Sequence, residues 1–353
     1  MSLPIASRRT ARSCALALLL AGSAVSIVAA AEPGNKYHRR DLVSDGGVAA
    51  EHEDPDLVNA WGLAASAAGP WWVNAADAGK SLLYNGEGVK NSLVVTVPGA
   101  PTGIVFNGGA GFVVPGAGPA RFLFASEDGS ISAWSPALVP NTAAVVVIPA
   151  SGDASFKGLA IDSTTAGTRI YAADFHNARV AVFDATFAEV TGAGAFDDRN
   201  LPKGYAPFGI QTLGGSVYVA YAKRDEAGEE EVAGEGLGVI DKYDLDGRLL
   251  ARVATGGALD APWGMALAPA GFGRFSGRLL VGNFGNGRIN VFDAVTYEPK
   301  GHLKGDGGKA IVVDGLWGIA FGNGGGAGPK TALFFAAGPN EEENGLFGRL
   351  DPP

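Results

Sequence analysis

Trp61-Gly62-Leu63 opens a pattern that the chain repeats as Thr102-Gly103-Ile104, Lys157-Gly158-Leu159, Phe208-Gly209-Ile210, Trp263-Gly264-Met265 and Trp317-Gly318-Ile319. The glycines lie 41, 55, 51, 55 and 54 residues apart. A period of about fifty residues, with an apolar strand signal at the head of each unit, predicts a radial array rather than a series of separate folds.

The units share more than their first strand. A second apolar run follows in each: Trp71-Trp72-Val73, Phe122-Leu123-Phe124, Ile170-Tyr171, Val217-Tyr218-Val219, Leu279-Leu280-Val281 and Leu333-Phe334-Phe335. A polar turn and a third strand come next. Asp174-Phe-His-Asn-Ala-Arg-Val-Ala-Val-Phe-Asp184 and Asn283-Phe-Gly-Asn-Gly-Arg-Ile-Asn-Val-Phe-Asp293 match at six of eleven positions, which marks a duplicated hairpin. Alternation puts Val180 and Val182 on one face, and Arg179, Ala181 and Phe183 on the other. Ser92 to Val97, Ala144 to Ile148 and Leu249 to Ala254 supply fourth strands.

With 54 glycines, 20 prolines and no sustained 3.6-residue period past the N-terminus, helices are not expected. The class is all-β: a six-bladed β-propeller of four-stranded blades. Unit six stops after a third strand, Leu346 to Leu350. Tyr37 to Val43 has strand character and no unit of its own. It is expected to complete that blade and close the ring.

Arg8, Arg9 and Arg12, the apolar run Cys14 to Val28 and Ala29-Ala30-Ala31 read as a signal peptide spanning 1–31. Residues 32–353 are then one propeller domain, exported to the periplasm or the medium, with no membrane span. The single cysteine lies in the leader, so the remainder has no disulfide, thiol nucleophile or cysteine metal site. The formal charge is −9, and removing the leader, with three Arg and no acid, leaves −12. Such acidity disfavours nucleic acid as a partner. The expected state is a monomer.

Asp54-Pro-Asp-Leu-Val-Asn-Ala-Trp-Gly-Leu63, Leu201-Pro-Lys-Gly-Tyr-Ala-Pro-Phe-Gly-Ile210, Leu259-Asp-Ala-Pro-Trp-Gly-Met265, Asp314-Gly-Leu-Trp-Gly-Ile-Ala-Phe321 and the stretch from Gly338-Pro339-Asn340-Glu341 to Gly348 resemble an uncharacterised bacterial family of exported six-bladed propellers. The resemblance spans nearly all of the chain after the leader and implies fold and export but no reaction. More distantly the repeats are similar to NHL-type and regucalcin-type propellers, which include protein-binding modules and calcium-dependent lactonases.

Propeller geometry places the X–Gly residues and the turns between second and third strands on one face. Trp61, Phe208, Trp263 and Trp317 read as packing, and glycine after them suits a crowded axis. Lys157 breaks the series: a cation stands where four sister units have aromatics. The second set of loops carries Glu127, Asp174, His176, Asn283 and Asn340. Oxygen donors converging from several blades could hold Ca²⁺, with Asp174 and Asn283 as first ligands. Asn and Asp are equally ordinary turn residues. The run Arg224 to Gly236, rich in Glu, reads as a solvated acidic loop or as a lid. It lacks EF-hand ligand spacing.

Two functions follow. One is a module binding a small molecule, glycan or protein on the loop face through Lys157, Asp174, His176, Asn283, Glu127 and Asn340. The other is a lactonase-type hydrolase with an axial calcium.

Overall fold

The structure, a computed structural model, describes residues 34–190 and 195–353; the leader expected at 1–31 lies outside them. Six antiparallel sheets follow one another along the chain as six blades. Blade one is Ala60–Ala65, Trp71–Ala75, Lys80–Tyr84 and Lys90–Thr96. Blade two is Pro101–Phe106, Phe122–Ser126, Ile131–Trp134 and Val145–Ile148. Blade three is Phe156–Thr164, Gly167–Asp174 and Arg179–Asp184. Blade four is Tyr205–Leu213, Ser216–Arg224, Val239–Tyr243 and Leu249–Thr255. Blade five is Pro262–Leu267, Arg278–Asn283, Ile289–Asp293 and Pro299–His302.

Blade six takes Leu316–Phe321, Leu333–Ala337 and Leu346–Asp351 from the C-terminal end, and His38–Ser44 from the N-terminal end. His38 pairs with Asp351 and Ser44 with Leu346, antiparallel, with a bulge between Asp41 and Val43. Blade three departs from the four-stranded expectation. Among its described residues the outer position holds a single bridge, Phe183 to Glu189, with the Val190 N–H donating to the Val182 carbonyl at 2.7 Å.

Both faces of most strands are buried, because each blade packs against two neighbours. Trp71 joins the core shared with blade six, while Trp72 stacks on Phe122 of blade two at 4.2 Å. Ala181 and Phe183 face blade two; Val180 and Val182 face blade four. Burying one such aromatic removes roughly 150–250 Å² from water, about 4–6 kcal/mol of transfer free energy before entropy is counted.

The repeated glycine has a specific cause. A Cβ on Gly209 would lie 2.0 Å from the carbonyl oxygen of Trp263 in the next blade, and one on Gly264 would lie 2.5 Å from that of Trp317. Gly318 stands in the same relation to Trp61, which closes the circle. Any side chain there would push adjacent inner strands apart.

Candidate functional site

One hydrogen bond recurs in all six blades. The backbone N–H groups of Ala76, Glu127, Phe175, Arg224, Phe284 and Gly338 donate to the carbonyls of Asn59, Ala100, Ser155, Gly204, Ala261 and Gly315, at 2.8 to 3.1 Å. Each bond ties the turn after the second strand to the start of the inner strand of the same blade. The turn residues are thereby held over the axis.

The axis beneath them is filled. Trp61 stacks on Trp317 at 3.8 Å, and Phe284 also stacks on Trp317 at 4.1 Å. Phe208 and Trp263 meet Trp317 at 5.5 and 5.9 Å. The X–Gly aromatics thus pack across the axis and form a plug, beyond the inter-blade packing expected of them.

Lys157 lies on this plug. Its ammonium is 5.5 Å from the Trp61 ring centroid, a cation–π distance. The Trp263 indole N–H donates to the Lys157 carbonyl at 2.9 Å. The side chain is 3 % exposed. Burial alone would lower its pKa, but Glu127, Glu230 and Glu231 outweigh that and hold it above the usual lysine range. Glu127 is its hydrogen-bonded partner, and Glu230 lies 3.5 Å away. Lys157 therefore does not neutralise Asp174 of its own blade. It bridges to blade two and to the acidic insertion of blade four.

That insertion is only half solvated. Asp225 gathers the N–H groups of Gly228, Glu229 and Glu230 around an exposed tip. Glu231–Val232 then returns as a short strand along Lys223 and Arg224. The Gly234 N–H donates to Asp260 Oδ1 at 2.7 Å. Burial pushes the Glu231 carboxyl up to about 8, against the pull of Lys157.

Blade six contributes Glu342. Asn340, Glu341 and Glu342 have φ of 57, 56 and 68°, three successive left-handed residues without a glycine among them. Such residues cost on the order of 1 kcal/mol each or more, and persist where their surroundings impose them. The turn brings Glu342 to the Asn59 side chain, whose Nδ2 donates at 2.7 Å. Burial raises the Glu342 pKa, with Asn59 and Lys157 opposing. Asn340 itself serves its own loop, donating through N–H to Asp314 and through Nδ2 to Asn344.

Asp174 and Asn283 occupy equivalent positions but act as braces. Asp174 is fully buried and accepts from Asn177 Nδ2, Arg179 Nε and the Ser155 N–H. Asn283 donates to the Ala258 carbonyl at 2.8 Å. Ser126 in blade two does the same job on the Pro98 carbonyl. All three bind the loop leading into their own inner strand. An aspartate whose oxygens already receive a guanidinium and an amide is a poor calcium ligand. Among the described residues, no three His, Cys, Asp or Glu side chains form a group able to hold a metal ion. The residues first expected to bind calcium therefore do not fit it. His176 enters through its backbone carbonyl, which accepts from Arg224 at 2.6 Å.

Of the residues picked out in the sequence, Lys157 and Glu127 are brought together. Asn59, Glu230, Glu231 and Glu342 join them without having been foreseen. The acidity of the insertion was the one available signal for two of these.

Fold and mouth together define a six-bladed β-propeller with a plugged axis and a charged mouth. The chain is 32 % identical to uncharacterized protein L690 of Acanthamoeba polyphaga mimivirus, over 88 % of this chain and 84 % of that one. It is 31 % identical to uncharacterized protein R648 of the same virus, over 88 % and 78 %. It belongs to the family of these proteins. No family model matches the chain. Among solved structures it is similar to the soluble aldose sugar dehydrogenase of Escherichia coli, with TM-score 0.55, 12 % identity and coverage of 90 % and 100 %. It is also similar to virginiamycin B lyase of Staphylococcus aureus, with TM-score 0.51, 15 % identity and coverage of 83 % and 80 %. A protein of unknown function from Bacteroides thetaiotaomicron gives TM-score 0.56 at 11 % identity, over 91 % and 73 %. These likenesses show the propeller fold. Among the described residues no helix is long and apolar enough to cross a membrane.

Proposed function

We propose that this chain is a binding propeller, exported behind a cleaved leader as one ring domain from about residue 32. It takes a small molecule, glycan or protein at the mouth around Lys157. The observation that carries this is convergence. Asn59 and Trp61 of blade one, Glu127 of blade two, Lys157 of blade three, Glu231 of blade four and Glu342 of blade six meet at one place. Folding alone does not require such a charge cluster, and burying charge is costly.

Binding is favoured over hydrolysis because Lys157 is held as a cation by its carboxylates. It cannot serve as an amine nucleophile or base in that state.

The test is a thermal-shift screen of sugars, peptides, amines and divalent ions on the parent, Lys157→Met and Glu127→Gln/Glu342→Gln. Ligands that stabilise the parent and neither variant place the site at the mouth. Ligands that stabilise all three equally would remove it from there.

A further inference from the structure

The mouth holds more acceptors than it can satisfy. Glu127, Glu230, Glu231 and Glu342 all lie within electrostatic reach of one ammonium, that of Lys157. Asn59 Nδ2 is already committed to Glu342 at 2.7 Å and to Asp77 at 3.4 Å; the neutral Trp61 Nε1 and the Arg224 Nε nearby are buried without a hydrogen-bond partner and are not paired with these carboxyls. Asn59 is 3 % exposed, yet its Oδ1 has no hydrogen-bond partner. That oxygen faces Gly338, where four of the other five blades carry Glu127, Phe175, Arg224 or Phe284 and blade one carries Ala76. It lies 2.5 Å from where a Gly338 Cβ would stand, with the Glu342 Cγ 3.2 Å from the same point. A buried acceptor left unpaired costs about 1–3 kcal/mol, and it sits beside carboxyls that are themselves short of donors.

The mouth also displays the chemistry it holds. A primary ammonium rests against an indole face, with carboxylates as its counter-ions. Those carboxylates are spread about an ammonium and do not form a metal-binding group. Strongly hydrated metal ions need several oxygens converging on one point, whereas an alkylammonium needs dispersed acceptors and tolerates an aromatic wall.

We propose that the mouth binds a second ammonium, supplied by an aliphatic diamine or polyamine, through Glu231, Glu342 and Asn59 Oδ1 beside Lys157. This rests on the mouth being the binding face and names the ligand class it takes.

The experiment is calorimetric titration of spermidine into the full chain at low and at moderate salt, in buffer above pH 8, where Glu231 is ionised. One site per chain is expected, weakening as salt rises. Glu231→Gln/Glu342→Gln should weaken binding at least tenfold. Asn59→Gly, which keeps the left-handed backbone at φ 48° while deleting the acceptor together with the Nδ2 donor to Glu342, should weaken it severalfold. Glu226→Gln/Glu229→Gln/Glu235→Gln removes exposed charge from the same insertion and should change affinity less than twofold. A lysine-rich peptide in a parallel titration separates a free polyamine from a protein side chain: tighter binding of the peptide would overturn the small-amine assignment. Absence of spermidine binding, or equal weakening by the mouth and tip variants, would overturn the proposal outright. If spermidine fails while another screened ligand is lost in the mouth variants, the binding face stands and only its ammonium preference falls.

Discussion

The indole N–H of Trp263 in blade five donates to the backbone carbonyl of Lys157 in blade three, 2.9 Å away across the axis. Blades that share no edge are thereby joined, and the base of the charged mouth is anchored to the aromatic plug. Trp263→Phe keeps most of the apolar area and deletes the donor, leaving a buried carbonyl unpaired. A loss of about 1–3 kcal/mol is expected in denaturant unfolding. No change in midpoint would show that the bond does not hold the axis.

Lys157→Met should destabilise the ring, because Glu127 then loses its buried counter-ion. Removing one partner of a buried pair costs about 3–5 kcal/mol, and Glu127, at 33 % exposed, brings the expectation towards about 1–3 kcal/mol. Lys157→Met/Glu127→Gln should recover part of that loss. A double-mutant cycle measures the coupling, and additive effects would contradict the pairing.

The Glu231 carboxyl titrates near 8 in the folded chain, against an ordinary value of 4.5. The folded state therefore binds this proton more tightly than the unfolded one. Its contribution is fully present below pH 4.5 and is lost as pH rises through 8. Melting temperature should fall as pH rises from about 4.5 to about 8 and level off above that. Glu231→Gln should flatten that fall. An unchanged slope in the variant would assign the titration elsewhere.

Gly209→Ala should prevent folding or cost more than about 3 kcal/mol, since its Cβ would meet the Trp263 carbonyl at 2.0 Å, beyond ordinary overpacking. Gly152→Ala meets nothing within 4 Å and should be neutral. Soluble expression and melting temperature of the two variants check the contrast.

Deleting residues 33–44 removes the outer strand of blade six together with Leu42 and Val43, both buried. It also removes Tyr37, whose hydroxyl donates to the Phe272 carbonyl at 2.9 Å. Aggregation or a fall in melting temperature is expected, because the third strand of blade six becomes a raw edge. An unchanged melting temperature would deny the strand its closing role.

The inner strands were legible because their glycines answer a constraint that acts at each of the six positions. The closing strand was legible because unit six runs out of strands while Tyr37 to Val43 has none to join. The mouth was half legible. Lys157 stood out as the one charged member of its series, and it lies at the mouth paired with Glu127. Asp174 and Asn283 stood out by duplication, and duplication marked a brace needed by the blades. What recurs here reports architecture: the braces and the inner-strand glycines answer the same demand in several blades. Glu342 could not be seen, since three left-handed residues in a Glu-rich turn leave no pattern in composition. Glu230 and Glu231 were visible as charge, but their return along Lys223 and Arg224 depends on contacts outside the insertion.

The pairing of His38–Ser44 with Leu346–Asp351 also sets an order in time. Contacts between the two ends of a chain form slowly, because the loop they close is long. Blades one to five can form as they are synthesised, but the ring has to wait for its last strand. Until then the first strand stays unpaired, with Leu42 and Val43 open to water. The chain thus carries an adhesive segment at its leading end throughout synthesis, and anything that shields that segment until the last strand arrives would raise the yield of closed rings.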